Sequence, residues 1–285
     1  MKKHDDFELW LHGNAALSEL HGAGVAVRES LQAWPLSVVE RITFRDGTSR
    51  IYKAFRNQST ETDFYRTVQS QYIPKVFYNH SEGDRHWLLL EDVGGRHPGK
   101  LDREQTLLLA RRARKIINEL DPAGPYRYDL SEEGYNSFVN ETLGLLRKLH
   151  QEKKLEAVDG TAIARIEGAL SHPEVRRTIR GRCALLHGDL KRDNILIRPN
   201  GELAIIDWQN VLFGPEDIDV YTLLASQDMD LVPVAGIGPE ILRLALVINW
   251  LADCIDRWLP HWAKFYDGKM AGIEKHIRCV MENNP

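Results

Sequence analysis

The sequence predicts an α+β fold in two lobes, a small antiparallel sheet with one helix over residues 1–93 and a mainly helical lobe over residues 94–285. Three features point there. The first lobe carries paired β-rich runs broken by polar turns, one of them Asp46-Gly47, a hairpin signal. From residue 102 the apolar residues recur at helical spacing, over segments too long for ordinary strands. Within that helical half lies one short β-rich pair, residues 195–197 and 203–206, around Pro199-Asn200-Gly201. Asn-Gly favours a hairpin because both residues accept positive φ. A chain of 285 residues has room for one large domain or two lobes.

Taken in order, residues 8–20 suggest a short helix, broken by Gly22-Ala23-Gly24. Residues 25–32, 38–44 and 50–55 read as strands, the last two joined through Asp46-Gly47. Residues 60–70 read as a helix. Residues 76–80 and 86–92 form a further strand pair, and Trp87-Leu88-Leu89-Leu90 is apolar throughout, as a central buried strand should be. Gly94-Gly95 lets the chain turn without steric cost, which sets the lobe boundary at Val93.

The helical half opens at residues 102–120, with Asp102 as cap, Asp121-Pro122 as stop, and Leu108, Ile116 and Leu120 on the apolar face. The basic run Arg111-Arg112-Ala113-Arg114-Lys115 reads as the solvated face of that helix. Residues 123–128 form a Pro/Gly/Tyr loop. Helices follow over residues 131–153 and 160–170, with a restart at Ser171-His172-Pro173. Gly214-Pro215 reads as a turn before a helix over residues 217–226. Pro239 opens a long helix to residue 258, where its missing N–H costs nothing, and residues 264–281 close the chain.

Composition excludes several classes. The net charge of −4 gives no global reason to bind nucleic acid. Cys183, Cys254 and Cys279 are odd in number and widely spaced, unlike a disulfide framework or a zinc site. The polar residues 1–6 do not resemble a secretory signal, and the longest apolar stretch, 242–255, is interrupted by Arg243, Asn249 and Asp253. A cytoplasmic protein without a membrane partner is expected.

The chemistry concentrates between residues 187 and 207. His187, Asp189, Asp193, Asn194 and Asp207 fall in that span, and the hairpin should fold Asp207 back toward Asn194. One carboxylate to take the proton of an attacking hydroxyl, with an amide and a second carboxylate to hold a metal on phosphates, suits Mg-dependent phosphoryl transfer. The order Asp189, Asn194, Asp207 follows the Asp-x-x-x-x-Asn spacing of kinases, with Gly188 in place of Arg and Asp207-Trp208-Gln209 in place of Asp-Phe-Gly.

His187-Gly188-Asp189 with Ile206-Asp207-Trp208, the segment Phe213-Gly214-Pro215-Glu216-Asp217-Ile218-Asp219-Val220 and the earlier Leu90-Glu91-Asp92-Val93-Gly94-Gly95 resemble the aminoglycoside phosphotransferase family. Those small-molecule kinases share the protein-kinase-like fold. The resemblance implies ATP and Mg²⁺. Lys53 would touch the α- and β-phosphates, paired with Glu61, with Asp63 a close competitor. Backbone edges at Glu91 and Val93 would read the purine. Glu29-Ser30-Leu31-Gln32-Ala33-Trp34-Pro35 has no glycine, so Ser30 or backbone amides would cover the nucleotide. Asp189 would position the acceptor hydroxyl, Lys191 would reach the transferring phosphate, and Asn194 and Asp207 would hold the metal. His187 would pack and bond the loop. Asp219 reads either as a carboxylate bonding the catalytic-loop backbone or as a helix-start acid favoured by the macrodipole. The missing Asp-Phe-Gly glycine and the missing Ala-Pro-Glu argue against a protein kinase.

The acceptor would be a small-molecule hydroxyl: an aminoglycoside, a sugar or an amino alcohol such as choline. Asp228, Asp230, Glu240, Asp253 and Asp256 with Trp250, Trp258 and Trp262 would suit a cationic one, or they are solvated acids and core tryptophans. Two rivals stand beside this reading. One is a kinase-like nucleotide-binding protein with little activity, favoured by the glycine-free loop. The other is a metal-dependent hydrolase using His187, Asp189 and Asp207, which leaves Lys53 without a role.

Overall fold

The structure, a computed structural model, describes residues 1–57, 60–120, 126–229 and 236–283. The chain divides into two compact units, one holding Met1–Gly99 with Asp193–Asn210, the other Lys100–Pro122, Tyr126–Arg192 and Val211–Pro285. The architecture is protein-kinase-like: a small antiparallel sheet in the N-terminal part and a mainly helical C-terminal part.

In the first unit a two-stranded ladder, β1 (Lys2–Lys3) with β2 (Trp10–Leu11), precedes α1 (Asn14–His21). The helix expected over residues 8–20 therefore starts late. Gly13 is its N-cap, and the residues before it extend into β2. The main sheet is built from β3 (Val25–Trp34), β4 (Ser37–Phe44), β5 (Ser49–Arg56), β6 (Val76–Glu82) and β7 (Arg85–Glu91), with α2 (Glu61–Thr67) between β5 and β6. Its order is β3-β4-β5-β7-β6, all antiparallel. The apolar run of β7 is paired on both sides, as its composition demands. One face of the sheet buries Ile42, Phe44, Tyr52, Ala54, Trp87 and Leu89 against Leu17 of α1. Side-chain alternation sends Lys53 to the opposite face.

The hairpin of β9 (Ile195–Ile197) and β10 (Leu203–Ile205) belongs to this same unit. Its turn is not the two-residue Asn-Gly type. Of the turn residues only Gly201 has positive φ, at 82°, and Gly201 N–H donates to Arg198 C=O at 2.9 Å. Pro199 explains this, because its ring fixes φ near −65° and forces a type I turn followed by a left-handed glycine. Gly94 and Gly95 connect β7 to this hairpin. Gly94 has φ 61°, and a Cβ on Gly95 would lie 3.0 Å from Ile197 C=O. Arg96 and Ile197 then exchange backbone hydrogen bonds at 3.0 and 2.8 Å.

The second unit holds α3 (Arg103–Asn118), α4 (Tyr135–Gln151), α5 (Gly160–Leu170), α6 (Pro173–Ile179), β8 (Cys183–Leu186), β11 (Leu212–Pro215), α7 (Asp217–Ala225), α8 (Gly238–Asp253) and α9 (Ala263–Glu282). Asp102 caps α3 through Gln105 N–H at 2.8 Å, and Gln105 returns the bond. Helix α8 packs against α4, α6, α7 and α9, so it is buried over most of its circumference. It passes into a π-helical turn, Cys254–Trp258, within the long helix expected to residue 258.

Two expectations for this unit change. Leu108 is 58% exposed, because the buried face of α3 runs through Leu109, Ala113, Ile116 and Leu120, at i, i+4, i+7 and i+11. Gly214-Pro215 is not a turn but the end of β11, antiparallel to β8, with Pro215 opposite Cys183. Asp121-Pro122 and residues 123–125 of the expected loop lie outside the described residues. Arg127 N–H and Leu130 N–H donate to Val211 and Phe213 C=O.

Candidate functional site

In the first unit, β5 and α2 bring a lysine and a carboxylate together out of water. Lys53 Nζ lies 2.6 Å from Glu61 Oε2 and 2.5 Å from Asp207 Oδ1. Glu61 is 1% exposed, and Lys53 is buried too. The competitor Asp63 instead pairs with Arg66 on the surface. Burial pulls the Lys53 ammonium down, but the charges of Asp207 and Glu61 outweigh it and hold its pKa above the ordinary lysine value. Burial pushes Glu61 up to about 7, and Lys53 opposes that shift only in part, because Asp207 adds repulsion. The neighbouring Tyr65 hydroxyl is raised well above its ordinary value, by burial first and then by Glu61 and Asp207. One ammonium thus faces two carboxylates, leaving an excess of negative charge that a cation would relieve.

The β9–β10 hairpin supplies the other side of this centre. Ile195 opposes Ile205, and Ile206 N–H donates to Asn194 C=O at 3.0 Å, so Asn194 and the residue before Asp207 meet at one end of the hairpin. Asn194 is 4% exposed. Asp207 has φ 67°, a left-handed conformation that Asp tolerates better than most side chains and that recurs at functional sites. Its neighbours fix it there. Trp208 is fully buried, stacks on Phe64 of α2 with ring centroids 4.2 Å apart, and donates from Nε1 to Ile205 C=O at 3.0 Å. Gln209 Nε2 donates to Asp207 Oδ2 at 3.4 Å.

A divalent metal can be tested against this donor set. Among the described residues no three His, Cys, Asp or Glu side chains cluster as a metal cage. A carboxylate and a neutral amide, both hard oxygen donors, do fit an ion that keeps waters and shares phosphate oxygens, as Mg²⁺ does.

In the second unit the loop after β8 is built around a buried carboxylate. Asp219, in the first turn of α7, is 0% exposed. Its Oδ2 accepts from His187 N–H at 2.9 Å and its Oδ1 from Gly188 N–H at 3.0 Å. Of the two readings of Asp219, the geometry is that of a carboxylate holding the loop backbone. Gly188 has φ 77°, which explains glycine at the position where the protein-kinase pattern His-Arg-Asp has Arg. His187 is fully buried, and its Nδ1 accepts from Asp189 N–H at 3.3 Å, a structural placement. Asp189 Oδ2 accepts from Lys191 Nζ at 2.9 Å, and both side chains reach solvent.

The family profile described as "Phosphotransferase enzyme family" (APH) matches residues 39–265, most of the chain. This chain belongs to that phosphotransferase family. A search of curated proteins finds no match. Among solved structures, the fold is similar to choline kinase LicA from Streptococcus pneumoniae, at TM-score 0.62 and 14% identity, covering 95% of this chain and 97% of that one. It is similar to the gentamicin complex of APH(2'')-IIa, at TM-score 0.61 and 15% identity, covering 93% and 99%. It is also similar to macrolide 2'-phosphotransferase MphH from Brachybacterium faecium, at TM-score 0.57 and 12% identity, covering 90% and 95%.

Among the remaining expected positions of this phosphotransferase, the Ser30 side chain faces away from the charged centre. Ser30 pairs with Glu40, which pairs with Tyr52, so its side chain shares the face opposite Lys53. A register shift between Ser30 and Gln32 puts Gln32 in the row of Val39 and Lys53 instead. The expected covering loop is itself strand, since β3 runs to Trp34. The Glu91 carboxylate pairs with Arg198 at 3.1 Å and accepts from Lys75 N–H at 3.2 Å. Partial burial raises its pKa, but Arg198 and that N–H outweigh burial and hold it below the usual range. Val93 follows β7 and is nearly buried.

Three of the acids expected to wall the acceptor site carry their own basic partners, whereas Asp228 is exposed. Glu240 is buried against Arg243 at 2.7 Å and His276 at 3.2 Å, Asp253 meets Arg127 and Arg257, and Asp256 meets Lys148 at 2.7 Å. These three are therefore not simply solvated acids. Asp230 lies outside the described residues. Of the tryptophans, Trp262 is 38% exposed and stacks on Tyr266, which Trp250 meets edge-on. No described helix is long and apolar enough to cross a membrane.

Sequence reading missed Arg114. It is 7% exposed, not part of a solvated basic face, and Nη1 donates to Leu185 C=O at 2.9 Å. A signal was available: Arg114 stands between Ala110 and Ile117, at i+4 and i−3 on the apolar face of α3.

Proposed function

We propose that this phosphotransferase moves the γ-phosphoryl group of ATP to a hydroxyl of a small molecule, with Mg²⁺. The observation that carries the reading is a buried lysine, Lys53, shared between buried Glu61 and half-buried Asp207 on the sheet face away from the apolar core. A structural ion pair needs one carboxylate. A lysine shared between two is poised to exchange one for phosphate oxygens.

Lys53 would bind the α- and β-phosphates, with Glu61 keeping its ammonium in place. The backbone at the Ser30–Gln32 bulge would cover the phosphates, and the backbone at Glu91 and Val93 would read the base at a lobe boundary near Val93. Asn194 and Asp207 would hold the metal, which when bound neutralises phosphate charge. Asp189 would accept the acceptor's hydroxyl proton while the new O–P bond forms and the bond from γ-phosphorus to the β–γ bridging oxygen breaks, leaving ADP. Orientation matters more than basicity in such a loose transition state. Lys191, held on Asp189, would meet the moving phosphoryl group. The paired acids of the second unit leave the acceptor's charge open, so aminoglycosides, sugars and amino alcohols all belong in a screen. We place the protein in the cytoplasm, with no nucleic-acid or membrane partner.

The absence of glycine between Glu29 and Pro35 favours the alternative, a nucleotide-binding protein with little turnover. A coupled ADP-release screen across those acceptors separates the two. Acceptor-dependent ADP release supports transfer. Nucleotide-dependent thermal stabilisation with no release from any acceptor supports the alternative.

A further inference from the structure

We propose that Arg114 is a positioning residue that sets the shape of the Asp189 loop through Asp219. This rests on the phosphotransfer reading for its catalytic consequence, though not for its geometry. The guanidinium leaves α3 on its buried face and ties three elements of the second unit. Nη1 holds the C=O of Leu185, within β8, at 2.9 Å and faces Asp219 Oδ2 at 3.5 Å. Nη2 donates to Asn118 at 2.9 Å and faces Glu216 at 3.4 Å. Asp219 in turn accepts the N–H groups of His187 and Gly188, the two residues before Asp189.

The arrangement is a relay of position. Asp219 is aimed by one oxygen at each loop amide, and Arg114 fixes the carboxylate from behind while fixing the strand that feeds the loop. Only a planar fork reaches a carbonyl and a carboxylate from one side and an amide from the other. Burying that fork is costly: Arg114 Nε has no hydrogen-bond partner among the described residues. A helix face that otherwise buries Ala110, Ala113 and Ile117 would take Leu or Met at no such cost. The exposed arginines of the same run, Arg111 and Arg112, show that charge on α3 does not itself require burial.

The test compares Arg114→Met and Arg114→Lys with the wild type by two readouts. The first is backbone hydrogen exchange at His187 and Gly188. We expect exchange there to rise about tenfold or more in Arg114→Met and less in Arg114→Lys, with α8 protection unchanged. The second is steady-state kinetics with whichever acceptor turns over. We expect kcat to fall ~10–100-fold in Arg114→Met, with partial recovery in Arg114→Lys, and nucleotide Kd within about twofold. Unchanged exchange at both amides overturns the proposal, as does a loss of nucleotide affinity in step with kcat. If Arg114→Met does not fold, Arg114→Lys carries both readouts alone, and wild-type values in it overturn the proposal. Should the wild type transfer phosphate to no acceptor, the function proposed above fails while the exchange measurement still decides the role of Arg114.

Discussion

Glu61 and Asp219 are both carboxylates with almost no exposure, at 1% and 0%, and the protein satisfies them in opposite ways. Asp219 is met mainly by backbone N–H groups, which are fixed by the fold and cannot leave. Glu61 is met by one flexible lysine that also serves Asp207, and its pKa rises to about 7 in consequence. The first arrangement is permanent and suits a loop that must present Asp189 in one geometry. The second is held by a side chain that can move and, under the proposed function, suits a centre whose charges regroup when phosphates and a cation arrive. On the proposed reading, buried charge serves differently in the two units: as a scaffold in one, as a reserve of unsatisfied attraction in the other.

The sharpest separation of the two comes from Asp189→Ala. Asp189 lies on the permanent side and holds no nucleotide in this reading, so kcat should fall by ~10²–10⁴ while MgATP affinity by calorimetry stays nearly intact. Equal loss of both would remove Asp189 from its role. Asp207→Ala attacks the exchangeable side. The increment in nucleotide affinity that Mg²⁺ provides should drop by at least about tenfold, roughly 1.4 kcal/mol. A Mg²⁺ titration with the wild-type dependence would reject Asp207 as a ligand.

A smaller effect probes the charge imbalance itself. The folded pKa of Glu61, about 7, lies above its value of 4.5 in a free chain. Between those pH values the folded protein keeps a proton that the unfolded chain has released, so the stability that Glu61 contributes is complete below about 4.5 and is lost as pH rises through 7. In nucleotide-free protein, the stability of the wild type minus that of Glu61→Gln should therefore fall from pH 5 to 7 and level off above about pH 8. Thermal melts across that range test it. A difference that rises with pH would mean that Lys53 dominates and that the carboxylate is well satisfied.

Much of this was legible in the chain. Hairpins announced themselves through turn residues, and helices through periodicity and through caps such as Asp102. The order Asp189, Asn194, Asp207 could be singled out because the metal and proton chemistry proposed for it constrains residue type and spacing together. What escaped was decided by facing, which spacing fixes only once register is known. Ser30 and Lys53 fall on opposite sheet faces because β3 bulges between Ser30 and Gln32. Arg114 hid inside a basic run because composition read the run as one face, although 100° separates neighbouring residues on a helix. The acids near α8 looked like a wall because part of their pairing comes from elsewhere in the chain, from Arg127 to Asp253 and from Lys148 to Asp256, although Arg243 and Arg257 stand only three and four residues from their partners.

The finest probe concerns what holds Asp207 in its left-handed conformation. Trp208→Phe keeps a ring to stack on Phe64 but removes the donor to Ile205 C=O, leaving that carbonyl buried without its partner. A lost hydrogen bond of this kind costs about 1–2 kcal/mol, a drop in Tm of roughly 2–8 °C. Because Trp208 follows Asp207 directly, the variant should also loosen the exchangeable centre, weakening MgATP binding a few-fold. His187 and Gly188 amide exchange should not change, since Asp219 holds those groups within the second unit. If those amides lose protection too, the loop draws on the same support as the phosphate centre, and the contrast between a permanent and an exchangeable region gives way to a single cooperative site.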